Sequence, residues 1–254
     1  MNDSAISFQN ADLSDLHWMG RMLAPKSIAI VGASPRPGSM GLFVLNQLQD
    51  NHFPGQVFLV NPRYENIGEL PVFSDLSETP DVPDLVLMVI GSAAMESAVD
   101  AAIGRGVGGI VVFSNNFMES DSEPPLLERL KTKARVAGIP VCGGNGMGFY
   151  NYDAKCLVSF DSPPARPGGS IAYIAHSGSA MTYLCNNDPR LRFNLVVSPG
   201  QEINGTVADY MEYALSLEST RVIAIFIETV RDPAKFRDVL ERAGKQGVPV
   251  VSQS

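Results

Sequence analysis

Ten residues, Gly32-Ala33-Ser34-Pro35-Arg36-Pro37-Gly38-Ser39-Met40-Gly41, follow the β-branched apolar run Ser27 to Val31 and lead into an apolar-periodic stretch, Met40 to Gln49. A glycine-rich turn between a strand and a helix can hold an anion, because backbone N–H groups and the positive end of the helix dipole meet there. Glycine permits close approach of a phosphate, and Ser34, Arg36 and Ser39 could add donors. The spacing G-x-G-x-x-G is absent and no Gly-Lys-Ser/Thr follows, so the loop is neither a dinucleotide fingerprint nor a Walker loop. An ordinary βα turn is the plainer alternative. A second run, Gln56 to Val60, ends in Asn61-Pro62-Arg63. An NAD site usually has an acidic residue there, accepting from the ribose hydroxyls. Asn and Arg donate, which suits a phosphorylated ribose such as that of coenzyme A or NADP; a solvated arginine after a turn proline is the competing reading.

These loops need a scaffold, and the chain supplies one. Strand-like runs at Leu85 to Ile90, Gly109 to Phe113 and Ile139 to Gly143 alternate with helical patterns at Ala93 to Arg105 and from Pro124 onward. Alternation of this kind predicts βαβ units on a parallel sheet. The rhythm lapses between Phe149 and Gly169, where DSPPARPGG has the composition of a connector. It resumes with Ser170 to Ala175, a Ser-Gly-Ser turn with a short helix to about Leu184, and strands at Leu195 to Val197, Val222 to Ile227 and Val248 to Val251. Asp232-Pro233 marks a helix start, with Phe236, Val239, Leu240 and Ala243 as its buried stripe. The expected organisation is a loosely ordered lead-in over 1–24 with a short helix around Leu13 to Met22, one α/β domain over 25–150, a linker over 151–169 and a second α/β domain over 170–254.

Composition narrows the class. Of 254 residues 45% are hydrophobic and 18% charged, an ordinary globular balance, and the net charge of −8 argues against a general nucleic-acid binder. No apolar run approaches the ~20 residues that span a bilayer, so no membrane association is expected. Cys142, Cys156 and Cys185 show no CxxC spacing, which suggests neither a disulfide framework nor a zinc site and fits a reducing cytosol. The ten methionines are scattered, as core filling would have them, and no metal role is expected. His17 and His52 suggest no role.

The segments PKSIAIVGASPRPGSMG, GQVFLVNPRYENIGELPVF, DLVLMVI, GGIVVFSNNFME, GIPVCGGNGMGFYN, SIAYIAHSGSAMTYL, VVSPGQEINGTVADYMEYAL and VIAIFIETVRDPAKF, in this order, resemble the NDP-forming acyl-CoA synthetases, relatives of the succinyl-CoA synthetase α subunit. The resemblance runs from about residue 22 to the end. It implies a Rossmann-like CoA-binding domain followed by a flavodoxin-like three-layer α/β domain. Gly32, Ala33, Ser34, Arg36, Ser39, Asn61, Pro62 and Arg63 match the segments that hold CoA, and Ile90-Gly91 the next strand end beside it. Gly144-Asn145 with Gly148 matches a loop reaching toward the thioester end. Ser177-Gly178-Ser179 opens a helix whose counterpart aims its N-terminus at a phosphorylated histidine. Glu228 matches the carboxylate that positions that histidine, which the resemblance places beyond the end of this chain.

The chain departs from the family in three places. Gly143-Gly144-Asn145 replaces Gly-Pro-Asn, Ala175-His176-Ser177-Gly178 replaces Ser-Gln-Ser-Gly or Ser-Arg-Ser-Gly, and Gly200-Gln201-Glu202 replaces Gly-Asn-Glu. His176 therefore reads as a phosphate-facing donor, with phosphorylation of its ring as the alternative. Cys142, near the expected thioester end, reads as a small buried residue. The resemblance further implies a carboxylic acid substrate, an ATP-grasp domain or subunit that uses ATP and magnesium, an oligomer, and little turnover by this piece alone. A CoA-sensing regulatory module and an NADP-dependent oxidoreductase are the rival readings.

Overall fold

A computed structural model of the protein describes Asp12, Asp15, residues 17–163 and residues 166–253. The beginning of the expected lead-in and Pro164-Ala165 of the expected linker lie outside them. The elements are α1 (Gly20–Leu23), β1 (Ser27–Val31), α2 (Met40–Asp50), β2 (Gln56–Val60), β3 (Asn66–Ile67), β4 (Leu70–Phe73), β5 (Leu85–Met88), α3 (Ser92–Arg105), β6 (Gly109–Val112), α4 (Leu126–Ala137), β7 (Val141–Gly143), β8 (Gly148–Asn151), β9 (Cys156–Ser159), β10 (Ile171–Ala175), α5 (Gly178–Asn187), β11 (Phe193–Ser198), α6 (Val207–Ser216), β12 (Val222–Phe226), α7 (Pro233–Lys245) and β13 (Val250–Gln253).

Two sheets carry them. The first has the order β3-β4-β2-β1-β5-β6-β7, parallel except for the antiparallel β3–β4 hairpin. From β1 the chain moves outward to β2 and β4, then returns to β1's other side as β5. That reversal opens a crevice beyond the carboxyl ends of β1, β2 and β5, the place where open α/β sheets bind ligands. The second sheet has the order β13-β12-β10-β11-β8-β9, and its chain reverses in the same way around β10.

The stretch expected as the end of the first domain and a linker behaves differently. Strands β8 and β9 form a hairpin that joins the second sheet antiparallel to β11. Every residue of both strands is buried, so no polar-outward alternation marks them in the sequence. Asn151 is buried among them because its amide donates to the Leu23 carbonyl and the Tyr213 hydroxyl. Residues 161–163 and 166–169 carry neither helix nor strand.

The lead-in also differs from expectation. Residues 17–24 form a strap wedged between the two halves, with Met19, Met22 and Leu23 fully buried. On one side Arg21 Nε donates to Asp84 at 2.8 Å, and a Cβ on Gly109 would fall 2.5 Å from the Met22 Cβ. On the other, His17 Nε2 lies 3.0 Å from Glu212 Oε2 and Trp18 Nε1 donates to Asp209 at 3.2 Å. Each buried apolar side chain of the strap contributes about 2 kcal/mol by area. Its methionines belong to one continuous core that runs from β1 through to α6.

Candidate functional site: two strand-tip crevices

The first crevice is a cleft of about 680 Å³ whose walls include Val31-Gly32, Arg36, Val60 to Arg63, Ser74 to Leu76 and Val89 to Gly91. Gly32 sits at the end of β1 with φ +93, and a Cβ there would lie 2.7 Å from both Ile90 Cγ2 and the Val89 carbonyl oxygen. Glycine is therefore required by close packing of two strand tips. The loop that follows is held from inside. Ser39 caps α2, accepting from Leu42 N at 3.3 Å, while its hydroxyl donates to the Ser34 carbonyl at 2.9 Å. The buried Ser34 hydroxyl accepts from Arg36 N and Nε, each at 3.3 Å. Asn61 Nδ2 donates to the Ala33 carbonyl at 2.7 Å, and its Oδ1 accepts from Arg63 N. Ser34, Ser39 and Asn61, expected to donate to a phosphate, thus spend their polar atoms on shaping the loop. Pro62 and Arg63 stand exposed at the mouth together with Arg36. Among the described residues neither arginine has an ion-pair partner, in a protein whose net charge is −8.

The far wall is helix α3. Its N-cap is Gly91, which offers no side-chain cap, so the first-turn amides are left for a ligand or water. Ala94, Ser97, Ala98 and Ala101 face the cleft from this helix. Small side chains at helical spacing leave room for a flat group, a signal readable in the sequence that the site reading missed. Asp75 was missed for a different reason: it follows β4, which the sequence pattern did not reveal. Its carboxyl is held below the usual carboxylate range by hydrogen bonds from the Ser77 hydroxyl and backbone, at 2.6 and 2.8 Å.

The second crevice lies at the tips of β10 and β12. Ser177 caps α5, accepting from Ala180 N at 3.2 Å. Gly178 is required because a Cβ would lie 2.5 Å from Met147 Cγ. His176, expected as a phosphate-facing donor, is buried and turned toward β12. Its side chain is 4% exposed, Nδ1 accepts from Glu228 N at 3.0 Å, and Nε2 faces Glu202 Oε1 at 3.4 Å. Glu202, buried with φ +51, also accepts from Val207 N at 2.6 Å, and its Oε2 lies 2.7 Å from Arg231 Nε. The ring therefore links the ends of β10 and β12 and lies against the buried Glu202 carboxyl. Glu228 itself is exposed, and among the described residues its carboxylate pairs with no cation. The structure thus brings Ser177, Gly178, Ser179, His176 and Glu228 to one sheet end, and adds the buried carboxyl of Glu202, which the sequence flagged only within a departure.

Asn145 is exposed on the loop between β7 and β8, with φ +55 and its N–H donating to the Ser114 carbonyl at 2.9 Å. The three thiols are buried, and burial pushes Cys142 and Cys185 up to about 12, so they are held protonated. Among the described residues no helix is long and apolar enough to cross a membrane.

Comparison with known proteins agrees with this geometry. Residues 26–152 match the CoA binding domain family model and residues 168–253 the succinyl-CoA ligase like flavodoxin domain. The chain is 31% identical over 240 residues to a trans-feruloyl-CoA synthase from an unknown prokaryotic organism, covering 91% of this chain and 34% of that protein. It is also 31% identical over 239 residues to the ADP-forming acetate–CoA ligase I of Archaeoglobus fulgidus, covering 93% of this chain and 34% of the relative. Among solved structures, the dinucleotide-forming acetyl-coenzyme A synthetase 1 of Ca. Korarchaeum cryptofilum, in complex with phosphate and ADP, superposes with a TM-score of 0.83 at 27% identity, covering 92% of this chain and 51% of that one. The chain therefore spans about a third of the length of these curated relatives. With both domain types matched in order, the chain belongs to the NDP-forming acyl-CoA synthetase family and forms its CoA-binding, α-like portion.

Proposed function

We propose that the first crevice holds the phosphorylated adenosine end of CoA, and that the second receives a phosphorylated histidine supplied by a part of the enzyme outside these residues. One observation carries the reading: among the described residues Arg36 and Arg63 have no ion-pair partner at the mouth of a cleft in an acidic protein, beside a helix N-terminus with no side-chain cap. Arginine binds phosphate through a fork of charge-assisted donors. In this assignment Arg63 takes the ribose 3′-phosphate, Arg36 and the α3 amides take the pyrophosphate, and the small face of α3 receives the adenine. The Asp75 carboxylate accepts from a ribose hydroxyl or the adenine amino group.

The whole enzyme joins a carboxylic acid to CoA while ATP is cleaved to ADP and phosphate, through an acyl phosphate and a phosphohistidine. Magnesium and ATP belong to an ATP-grasp domain or subunit, and this chain contributes binding and orientation. Ser177 rigidifies the start of α5, whose first-turn amides and dipole suit an incoming phosphate. In this reading Glu228, exposed and with no cation paired to it among the described residues, accepts from the histidine ring that carries the phosphate.

Isothermal titration of the chain with CoA, dephospho-CoA and NADPH tests the assignment. CoA binds, dephospho-CoA binds more weakly, and NADPH does not compete. Tight NADPH binding with no CoA binding overturns it.

A further inference from the structure

The departures at Gly144 and Gln201 meet in space, around a third residue. Asn116, at the end of the segment that follows β6, is 3% exposed with φ +57, and neither its Nδ2 nor its Oδ1 has a hydrogen-bond partner. Gln201 Oε1, from the loop after β11, is also buried without a partner. A Cβ on Gly144 would lie 2.2 Å from Asn116 Nδ2 and 3.0 Å from Gln201 Oε1, so only glycine leaves these two carboxamides their place. Buried polar atoms left unsatisfied are costly, and a native fold retains them where something else satisfies them.

The surroundings indicate what that is. The Ser114 hydroxyl, which accepts from Asn116 N at 3.2 Å, is 2.9 Å from the Ser92 hydroxyl in the first turn of α3, one residue past Gly91 of the first crevice. In the other direction the same β7–β8 loop exposes Asn145 and presses Met147 against Gly178 at the start of α5. The carboxamide cluster therefore lies between the start of α3 and the start of α5, where the proposed function brings the thiol end of CoA toward the incoming phosphate. This placement rests on the CoA assignment proposed above.

We propose that Asn116 and Gln201 form the seat for the acyl group, and that the acids this chain serves carry a hydroxyl. The cluster presents a carboxamide donor together with carboxamide oxygens that accept, and a hydroxyl satisfies both kinds of atom at once. A plain alkanoyl chain satisfies neither and leaves the amides desolvated. Discrimination of this type is larger than that from an added methylene, because the penalty falls on the unpaired protein groups.

The test is titration of the full chain with CoA, butyryl-CoA and its 2-, 3- and 4-hydroxy derivatives. At least one hydroxybutyryl-CoA binds ~5-fold or more tighter than butyryl-CoA, the range expected of one hydrogen bond to a buried partner. Asn116→Gly suits the positive φ and keeps the fold, and Gln201→Met keeps side-chain length; each brings the ratio of hydroxybutyryl to butyryl affinity to within about twofold of one. Equal affinities in the unaltered chain, the result if water alone fills the cluster, overturn the proposal, as does a preference that survives both substitutions. If CoA itself fails to bind, the CoA assignment fails too; if CoA binds and the preference is missing, only the hydroxyacyl seat fails.

Discussion

The two crevices are built on the same plan and left in opposite electrostatic states. Each lies beyond the carboxyl ends of parallel strands where the chain reverses direction. At the first, the hydrogen-bonding side chains are consumed in loop shaping while two arginines stay open to solvent. At the second, Arg231 Nε and His176 Nε2 both lie close to the buried Glu202 carboxyl, and the open group is the acidic Glu228. Under the proposed function, the open cations of the first crevice receive the phosphates of CoA, and the open carboxylate of the second receives the proton donor of an incoming phosphorylated histidine.

The largest test of this contrast is Gly32→Val. The positive φ and the 2.7 Å approach to two neighbouring atoms predict a loss of about 3 kcal/mol in urea unfolding and disappearance of the CoA binding heat. A fully stable variant that binds CoA removes the packing account of the first crevice. Next is Glu202→Ala, which strands His176 and Arg231; thermal unfolding registers roughly 2–3 kcal/mol of destabilisation, at the lower end for buried pairs because Arg231 is partly exposed. CoA affinity is unaffected, so a fall in it would show that the two crevices are coupled. A smaller effect is expected from Arg63→Ala, which weakens CoA about 10-fold and leaves dephospho-CoA unchanged by titration. Equal weakening of both ligands excludes the 3′-phosphate contact.

The smallest effect reports on the strap that joins the crevices' two domains. Burial lowers the pKa of His17 from its ordinary value, against the opposing pull of Glu212. Burial would raise Glu212, but hydrogen bonds from Arg242, Lys235 and His17 outweigh it and hold the carboxyl at about 2. Both folded-state values lie below the unfolded ones, so both contributions are complete above about pH 6.5 and drain as pH falls, first from His17 and then, below about 4.5, from Glu212. The sole tryptophan, Trp18, bonded to Asp209, changes fluorescence over this acid range before the fold melts. A signal flat to the point of global unfolding rules out the strap as an acid-sensitive element.

Much of the first crevice was legible because its determinants are local. Gly32, Arg36, Pro62 and Arg63 each follow a strand whose apolar run is uninterrupted, and the βα rhythm places their tips together. What stayed hidden depends on contacts between distant segments. The β8–β9 hairpin lacks alternation since both its faces are covered, Asp75 reaches the cleft only because β4 inserts beside β2, and Ser34 and Ser39 look like ligands until the loop is closed upon them. His176 has the sequence context of a phosphate contact, but its ring is claimed by Glu202 and by the Glu228 backbone.

The strap carries a consequence for biosynthesis. His17 meets Glu212 across 195 residues of chain, and Trp18 meets Asp209 across 191. These turns emerge from the ribosome well before the α6 residues that receive them, so the first half completes its interior only after that helix is made. Its maturation is postponed until α6 is released, and the two halves finish in a single closing event.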